Sequence, residues 1–411
     1  MGYEETGRDL SAEPSSGIPA SVLENVFDDP AHGEPGRDRF AVHLVWESLL
    51  LVGLVALGYL LWQENPAALR GDGLRSLLLD AVVLGLLTLA AGLSLRTAAV
   101  NLAIGPVLVA AALHMAEQGD RGAAAAVGPA VAVAALGGLA LALAVVVLHV
   151  PGWAATLAGA AGVIVYVEQR SAPVLPQGDY DPGGNALPLF IGFAAVAVLG
   201  GFFGSVRAVR RVVGRFRPVV DPARRRGVVA AVVTSGAIVV STVLAALAGL
   251  LTASRGTGPV APTAGLDWTV LAVGVALLAG TSAYGRRGGV LGPLLAICLV
   301  TVAVEYVRAR GWTVSRWAVG GAVLGVGLVV TRLVETFGRP ASGAAAEPGR
   351  TGDRRSGAGW SAPAADPVGE WPPAVPTQSP ESPVDPWSDP RWETGSRHRE
   401  AGPRHWDAGD R

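Results

Sequence analysis

Residues 124–149 read AAAVGPAVAVAALGGLALALAVVVLH, twenty-six positions without an aspartate, glutamate, lysine or arginine. A helix needs about 20 apolar residues to cross the hydrocarbon core of a bilayer. The stretch is too long and too apolar for the core helix of a small soluble domain, and it predicts a membrane span. Working outward, comparable stretches recur on both sides. They are Phe40–Trp62, Ser76–Leu95, Thr97–Met115 and Pro151–Val167, then Leu187–Val206, Val228–Thr252, Trp268–Tyr284, Val290–Val307 and Trp317–Glu335. The pattern predicts an all-α polytopic membrane protein of about ten transmembrane helices. The third, fifth and eighth stretches are short and rich in glycine or proline, as expected of broken helices that line a path. Small residues at helical spacing, as in Gly200-x-x-x-Gly204 and Gly321-x-x-x-Gly325, predict close helix packing.

Composition agrees. Of 411 residues, 51% are hydrophobic and only 16% charged, with a mean hydropathy of +0.43. The formal net charge of −1 conceals three zones. Residues 1–39 hold nine acids and three arginines; residues 40–337 hold twenty arginines and thirteen acids; residues 338–411 hold nine arginines and eleven acids. The chain divides accordingly into an acidic flexible N-terminal tail (1–39), a transmembrane domain (40–337) and a disordered C-terminal tail (338–411) rich in proline, glycine and serine. Within the first tail, Ser21 and Glu24 have capping-box spacing over Ser21–Phe27, read as a transient helix. The second carries five of the eleven tryptophans. The acidic opening residues predict no cleavable signal peptide.

Arginine asymmetry predicts orientation. With both termini cytoplasmic, the inner loops collect Arg96, eight arginines between Arg207 and Arg226, Arg286, Arg287 and Arg332, against Asp221 and Glu335. The expected location is the plasma membrane.

Several activities are excluded by absent residue types. All 32 basic residues are arginine, so the P-loop lysine that reaches the β- and γ-phosphates is missing, and so is a Schiff-base lysine. One cysteine, Cys298, permits no intrachain disulfide and no thiolate cluster. The six histidines form no metal-binding pair, and no metal site is expected. No nucleic-acid-binding pattern is present. Charges within the spans are few: Glu47, Asp80 and Glu305. A charge in a membrane is often functional, but all three lie near enough to an interface to snorkel or pair. The loop Asp179-Tyr180-Asp181-Pro182 reads as a solvated turn. The residues thus describe an uncharged helical conduit with a basic inner surface and no catalytic constellation: not an enzyme.

Three further stretches carry a resemblance. The first is Ala223-Arg224-Arg225-Arg226-Gly227-Val228. The second is Ser241-Thr242-Val243-Leu244-Ala245-Ala246-Leu247-Ala248-Gly249, closing with Ala253-Ser254-Arg255. The third runs from Pro262-Thr263-Ala264-Gly265 to Gly280-Thr281-Ser282-x-x-Gly285-x-x-Gly288 and Gly292. In order and spacing they resemble the permease subunit of ABC importers of the ribose/monosaccharide and branched-chain amino-acid type. Val100-Asn101-Leu102-Ala103-Ile104-Gly105 is similar to that family's Ile-Asp-Leu-Ser-Val-Gly motif, and Pro151–Gly162, with Thr156-Leu157, to its Pro-x-Phe-Ile-x-Thr-Leu segment. The likeness covers about residues 75–335 and leaves out the tails. It departs at Ala98-Ala99, where the family carries Gly-Gly, at Asn101 for Asp, at Thr269 for Glu, and at Thr242 and Ala246 for glycines.

The resemblance implies a transport subunit with no cofactor of its own. ATP would be bound by a separate pair of ABC ATPase subunits. An extracytoplasmic solute-binding protein would deliver the solute, and a second permease copy, identical or not, would complete the pore. Asn101, Gly105, Thr281, Ser282 and Gly285 would line the path; Ala223, Arg224 and Gly227 would form the coupling contact with the ATPase. An uncharged path suits a small neutral polar solute, a monosaccharide being the expected class. The alternative, from another class, is a non-transporting membrane scaffold whose cytoplasmic tails recruit partners.

Overall fold

The computed structural model describes residues 40–206, 228–255, 258–282 and 289–338. All of them belong to one compact unit spanning residues 1–345; a second unit, 346–411, lies outside the described residues, as does the whole N-terminal tail. The described residues form ten α-helices and no strand. In chain order they are α1 (Phe40–Glu64), α2 (Gly71–Arg96), α3 (Ile104–Gln118), α4 (Ala123–Val147), α5 (Gly152–Glu168), α6 (Ala186–Ser205), α7 (Val228–Ser254), α8 (Leu266–Leu278), α9 (Gly292–Ala309) and α10 (Arg316–Gly338).

Seven of these are long and apolar enough to cross a membrane, namely α1, α2, α4, α6, α7, α9 and α10. The chain is therefore a multi-pass membrane protein. The remaining three are the stretches read as short: α3 has 15 residues, α5 has 17 and α8 has 13. At a rise of about 1.5 Å per residue, α8 covers about 20 Å, well short of a hydrocarbon core of about 30 Å.

α2 and α7 are central. α7 packs along α2, α3 and α4; α2 also meets α6, α8 and α9; α8 lies along α10, and α9 along α1. α4 turns a four-residue repeat of small side chains inward: Ala126, Ala130, Ala134, Gly138 and Ala142 are all buried. A Cβ at Gly138 would stand 2.9 Å from the Val239 Cα of α7, so the missing side chain is what lets the two backbones touch. The two glycine pairs singled out above play no such part. Gly200, Gly321 and Gly325 face open space; close backbone contacts fall instead on Gly201 against Val290, Gly320 against Leu271, and Gly274 and Gly327 where α8 crosses α10. Spacing alone does not say which side of a helix meets a neighbour.

Large apolar side chains cover the outside, for example Val133 at 68% exposure and Leu199 at 65%. In water such a surface aggregates; in a bilayer it meets acyl chains.

The isolated charges of the spans pair or cap. Asp80 binds Arg255 and Glu305 binds Arg308. Glu64 binds Arg310 at 2.5 Å, Glu117 binds Arg170 at 2.7 Å and Asp267 binds Arg316 at 2.7 Å. Apart from Asp80, which lies nine residues inside α2, these charges lie at or near helix ends that alternate crossings place on one side. Trp62 and Trp268 sit there too, stacked under Arg70 and Arg316 at 4.4 and 3.9 Å. This is the arrangement of an interfacial aromatic belt. Glu47, at the opposite side, does something else: its Oε1 accepts the backbone N–H of Leu291 at 2.7 Å and of Gly292 at 2.9 Å, capping the N-terminus of α9 from α1.

Candidate functional site: the crossing of two interrupted helices

The span expected over Thr97–Met115 is helical only from Ile104. α2 stops first. Ala98 takes a left-handed φ of +53°; its N–H reaches the Leu95 carbonyl at 3.1 Å, and the Ala99 N–H reaches Ser94 at 3.0 Å. That pair of bonds closes the helix with a Schellman motif. Residues Ala99–Ala103 then run unwound through the protein core.

Backbone groups freed from a helix inside a membrane must find partners in the protein. Here the partners come from the segment itself and from three helices. Asn101, only 1% exposed, accepts the Ala103 N–H at 3.0 Å through Oδ1, a local Asx-type turn that starts α3. Its Nδ2 donates to Ser241 Oγ at 2.8 Å and Thr242 Oγ1 at 3.0 Å on α7. Both hydroxyls in turn donate to the Ile238 carbonyl, at 2.9 and 2.8 Å. Thr156 of α5 lies 2.8 Å from the Val100 carbonyl and accepts the Leu102 N–H at 3.2 Å. Thr269 of α8 accepts the Gly105 N–H at 3.0 Å and donates to the Leu102 carbonyl at 3.3 Å.

The second interruption meets the first. Residues 258–265 form no helix and are held to the loop after α5 by an antiparallel bridge between Val174 and Val260. Gly265, at φ +71°, then opens α8. A Cβ on Gly105 would stand 2.0 Å from the Gly265 carbonyl oxygen, and a Cβ on Gly265 would stand 2.6 Å from that of Gly105. The N-termini of α3 and α8 therefore cross backbone against backbone, and only glycine fits either position. α8 closes by a second Schellman motif: Gly280, at φ +87°, donates to Leu277 at 2.9 Å, and Thr281 donates to Ala276 at 3.1 Å. The Leu278 carbonyl left over accepts the Trp46 Nε1–H at 2.8 Å.

The expected path residues thus form two groups. Asn101 and Gly105 come together at the crossing. Thr281 and Ser282, each 2% exposed, follow the far end of α8, about 20 Å away along that helix. Gly285 lies outside the described residues, and so do Ala223, Arg224 and Gly227 of the basic loop. Sequence reading missed Thr156, Ser241, Thr242 and Thr269 as partners of the unwound segment. A signal existed: hydroxyl residues inside otherwise apolar spans, facing a segment that must be supplied with partners. Three of the departures from the family pattern, Asn101, Thr242 and Thr269, lie together here, and the first two bond to each other.

A cavity of about 540 Å³ opens beside the crossing, between α3, α4, α5 and α7. Its walls are alanine, valine, leucine, glycine and Pro129 apart from His114, Tyr166 and Thr242. A smaller cavity of about 180 Å³ lies among Gln177, Asp179, Asp181 and Arg255. No group of three or more potential metal ligands occurs among the described residues. The chain matches no protein-family model, no curated protein and no solved structure.

Proposed function

We propose that the chain is the permease subunit of an ABC-type importer, forming the membrane path for a small polar solute, a monosaccharide being the favoured class. The observation that carries this reading is the meeting of two interrupted helices at Gly105 and Gly265 within the bundle. Unwound backbone at membrane depth is a feature of transport proteins, where broken helices surround the path. In the packing seen here Asn101 and Gly105 face protein. Passage along them requires α8 to part from α3 at that contact, which a close crossing with few side chains permits. The protein sits in the plasma membrane with both termini cytoplasmic. A separate ATPase pair drives it through the basic loop holding Ala223, Arg224 and Gly227; a second permease copy and an extracytoplasmic binding protein complete the system.

A second reading is a non-transporting scaffold with partner-recruiting tails. It is favoured by one observation: both polar side-chain atoms of Asn101 are engaged within the chain.

The test is reconstitution with the ABC ATPase that this reading requires, sought first among the genes beside this one. Solute-stimulated ATP hydrolysis is expected, and Arg224→Glu and Gly227→Val should abolish it while the protein still inserts. Unchanged stimulation in both variants, with normal assembly, removes the coupling assignment. No stimulation in the unaltered complex favours the scaffold. Topology is read separately: Asp179→Cys should label from outside and Ala223→Cys only from inside. External labelling of both overturns the orientation.

A further inference from the structure

The cavity of about 540 Å³ is large enough for a ligand, within the range of about 300–1,000 Å³ usual for small-molecule sites. Its chemistry does not suit a sugar. The three polar side chains in its wall are already engaged: Thr242 Oγ1 with Ile238 and Asn101, His114 Nε2 with the Ala126 carbonyl at 3.1 Å, and the Tyr166 hydroxyl with Arg170 at 2.8 Å. The Tyr166 O–H, which accepts from Arg170, can still donate one bond, but the many hydroxyls of a sugar outnumber such partners, and each one left unpaired costs about 1–3 kcal/mol.

Shape and placement point to a different occupant. The groove follows α4 from Pro129 to Leu141 and α3 from His114 down to Ala103. Eleven or twelve residues at about 1.5 Å each make it about 17 Å long, close to half of a hydrocarbon core of about 30 Å. It begins beside the ion-paired ends of α3 and α5 and runs on past the middle of α4, Leu141 lying six residues before that helix ends at Val147. It is open to the lipid side: Gly137 and Gly162 in its wall are exposed, and a Cβ on either would meet nothing within 4 Å.

The outer end is polar. Arg170 binds both carboxylate oxygens of Glu117, at 2.7 and 3.0 Å, and stacks on the Tyr166 ring at 4.2 Å. The hydrogen bond to Glu117 holds the Arg170 guanidinium more firmly in its charged form than usual. An aromatic–arginine pair at the rim of an apolar slot is the signature of an interfacial anchor.

We propose that this groove is a lipid site that holds one acyl chain of a diacyl phospholipid, its headgroup level with Tyr166 and Arg170. A groove left empty in hydrocarbon forfeits dispersion contacts along its whole wall, and a chain restores them. Glycine and alanine at Gly137, Gly159, Gly162, Ala110 and Ala134 supply the width. The site rests on the membrane placement alone and is independent of transport.

The test uses the full chain in phosphatidylcholine vesicles doped with phosphatidylcholine carrying a diazirine at mid-chain. The protein is washed into detergent before illumination, so only firmly held lipid remains. Covalent labelling is expected on peptides of α3, α4 and α5 that face the groove. Gly137→Leu with Gly162→Leu should abolish it. Gly192→Leu, at an exposed position of α6 with equally open space, should leave it intact. Labelling spread over all helices, labelling unaffected by filling the groove, or no labelling of the unaltered protein would each overturn the proposal. So would a disulfide-linked dimer formed through Gly162→Cys, which would assign the groove to a second copy. Should the double variant fail to fold, the peptides labelled in the unaltered protein decide the location by themselves.

Discussion

Replacing Asn101 by alanine removes three hydrogen bonds from the core, and the three are not equal. The two from Nδ2 go to hydroxyls that keep their own acceptor, the Ile238 carbonyl, after the amide is gone. Hydrogen bonds between helices in a membrane are worth about 0.6 kcal/mol each on average, so these two account for about 1 kcal/mol. The third differs. Without Oδ1 the Ala103 N–H is left without its partner inside the protein, and an orphaned buried donor costs about 1–3 kcal/mol. Asn101→Ala should therefore destabilise the protein by about 2–4 kcal/mol. Thr242→Val, which removes the bond from Asn101 and the bond donated to Ile238, should cost about 1 kcal/mol, at about 0.6 kcal/mol each. Combining the two should cost less than their sum, because the Asn101–Thr242 bond is counted in both. Asn101→Asp tests the donor side: it keeps the bond to Ala103 but turns an acceptor toward hydroxyls committed elsewhere, and should also destabilise. The assay is reversible unfolding in mixed micelles, followed by circular dichroism. If Asn101→Ala proves no more costly than Thr242→Val, the unwound segment does not depend on Asn101 as described.

Three other outcomes are expected. Ala98→Gly should stabilise the protein by about 1 kcal/mol in the same assay, since an L-residue in the left-handed region pays about 1–2 kcal/mol that glycine does not; a loss of stability would contradict the helix stop assigned there. Gly105→Ala should prevent the α3–α8 crossing from closing, because its Cβ would stand 2.0 Å from a backbone oxygen that cannot rotate away; proteolysis of the purified variant should show a newly accessible site near residues 258–265, and an unchanged pattern would refute the close crossing. Glu47→Ala should cost about 1 kcal/mol through loss of the α9 cap, with Glu47→Gln costing less because its amide oxygen still accepts; equal losses would show that charge, not hydrogen bonding, holds the contact.

The class of the molecule was legible in its sequence because hydrophobic length is a local property. A run such as 124–149 has nowhere to go in water, and the seven runs long and apolar enough to cross a membrane place their helices whatever their neighbours do. The three short helices were legible for the same reason. Their mode of interruption was not. Thr97 to Ala103 is as apolar as the helices around it, and no propensity separates it from them. It unwinds because Asn101, Ser241, Thr242, Thr156 and Thr269, brought from positions as much as 167 residues away, supply the bonds its backbone would otherwise lack. The same distance hid which glycines matter. Gly105 and Gly265 are indistinguishable in sequence from Gly200 or Gly321; only the crossing of two backbones makes a Cβ impossible at the first pair and harmless at the second. Charges followed the same rule. Their small number left Glu47, Asp80 and Glu305 alike to snorkel or pair; that Asp80 and Glu305 take arginines while Glu47 caps a helix 244 residues on is a matter of how the helices lie against one another, which no local pattern records.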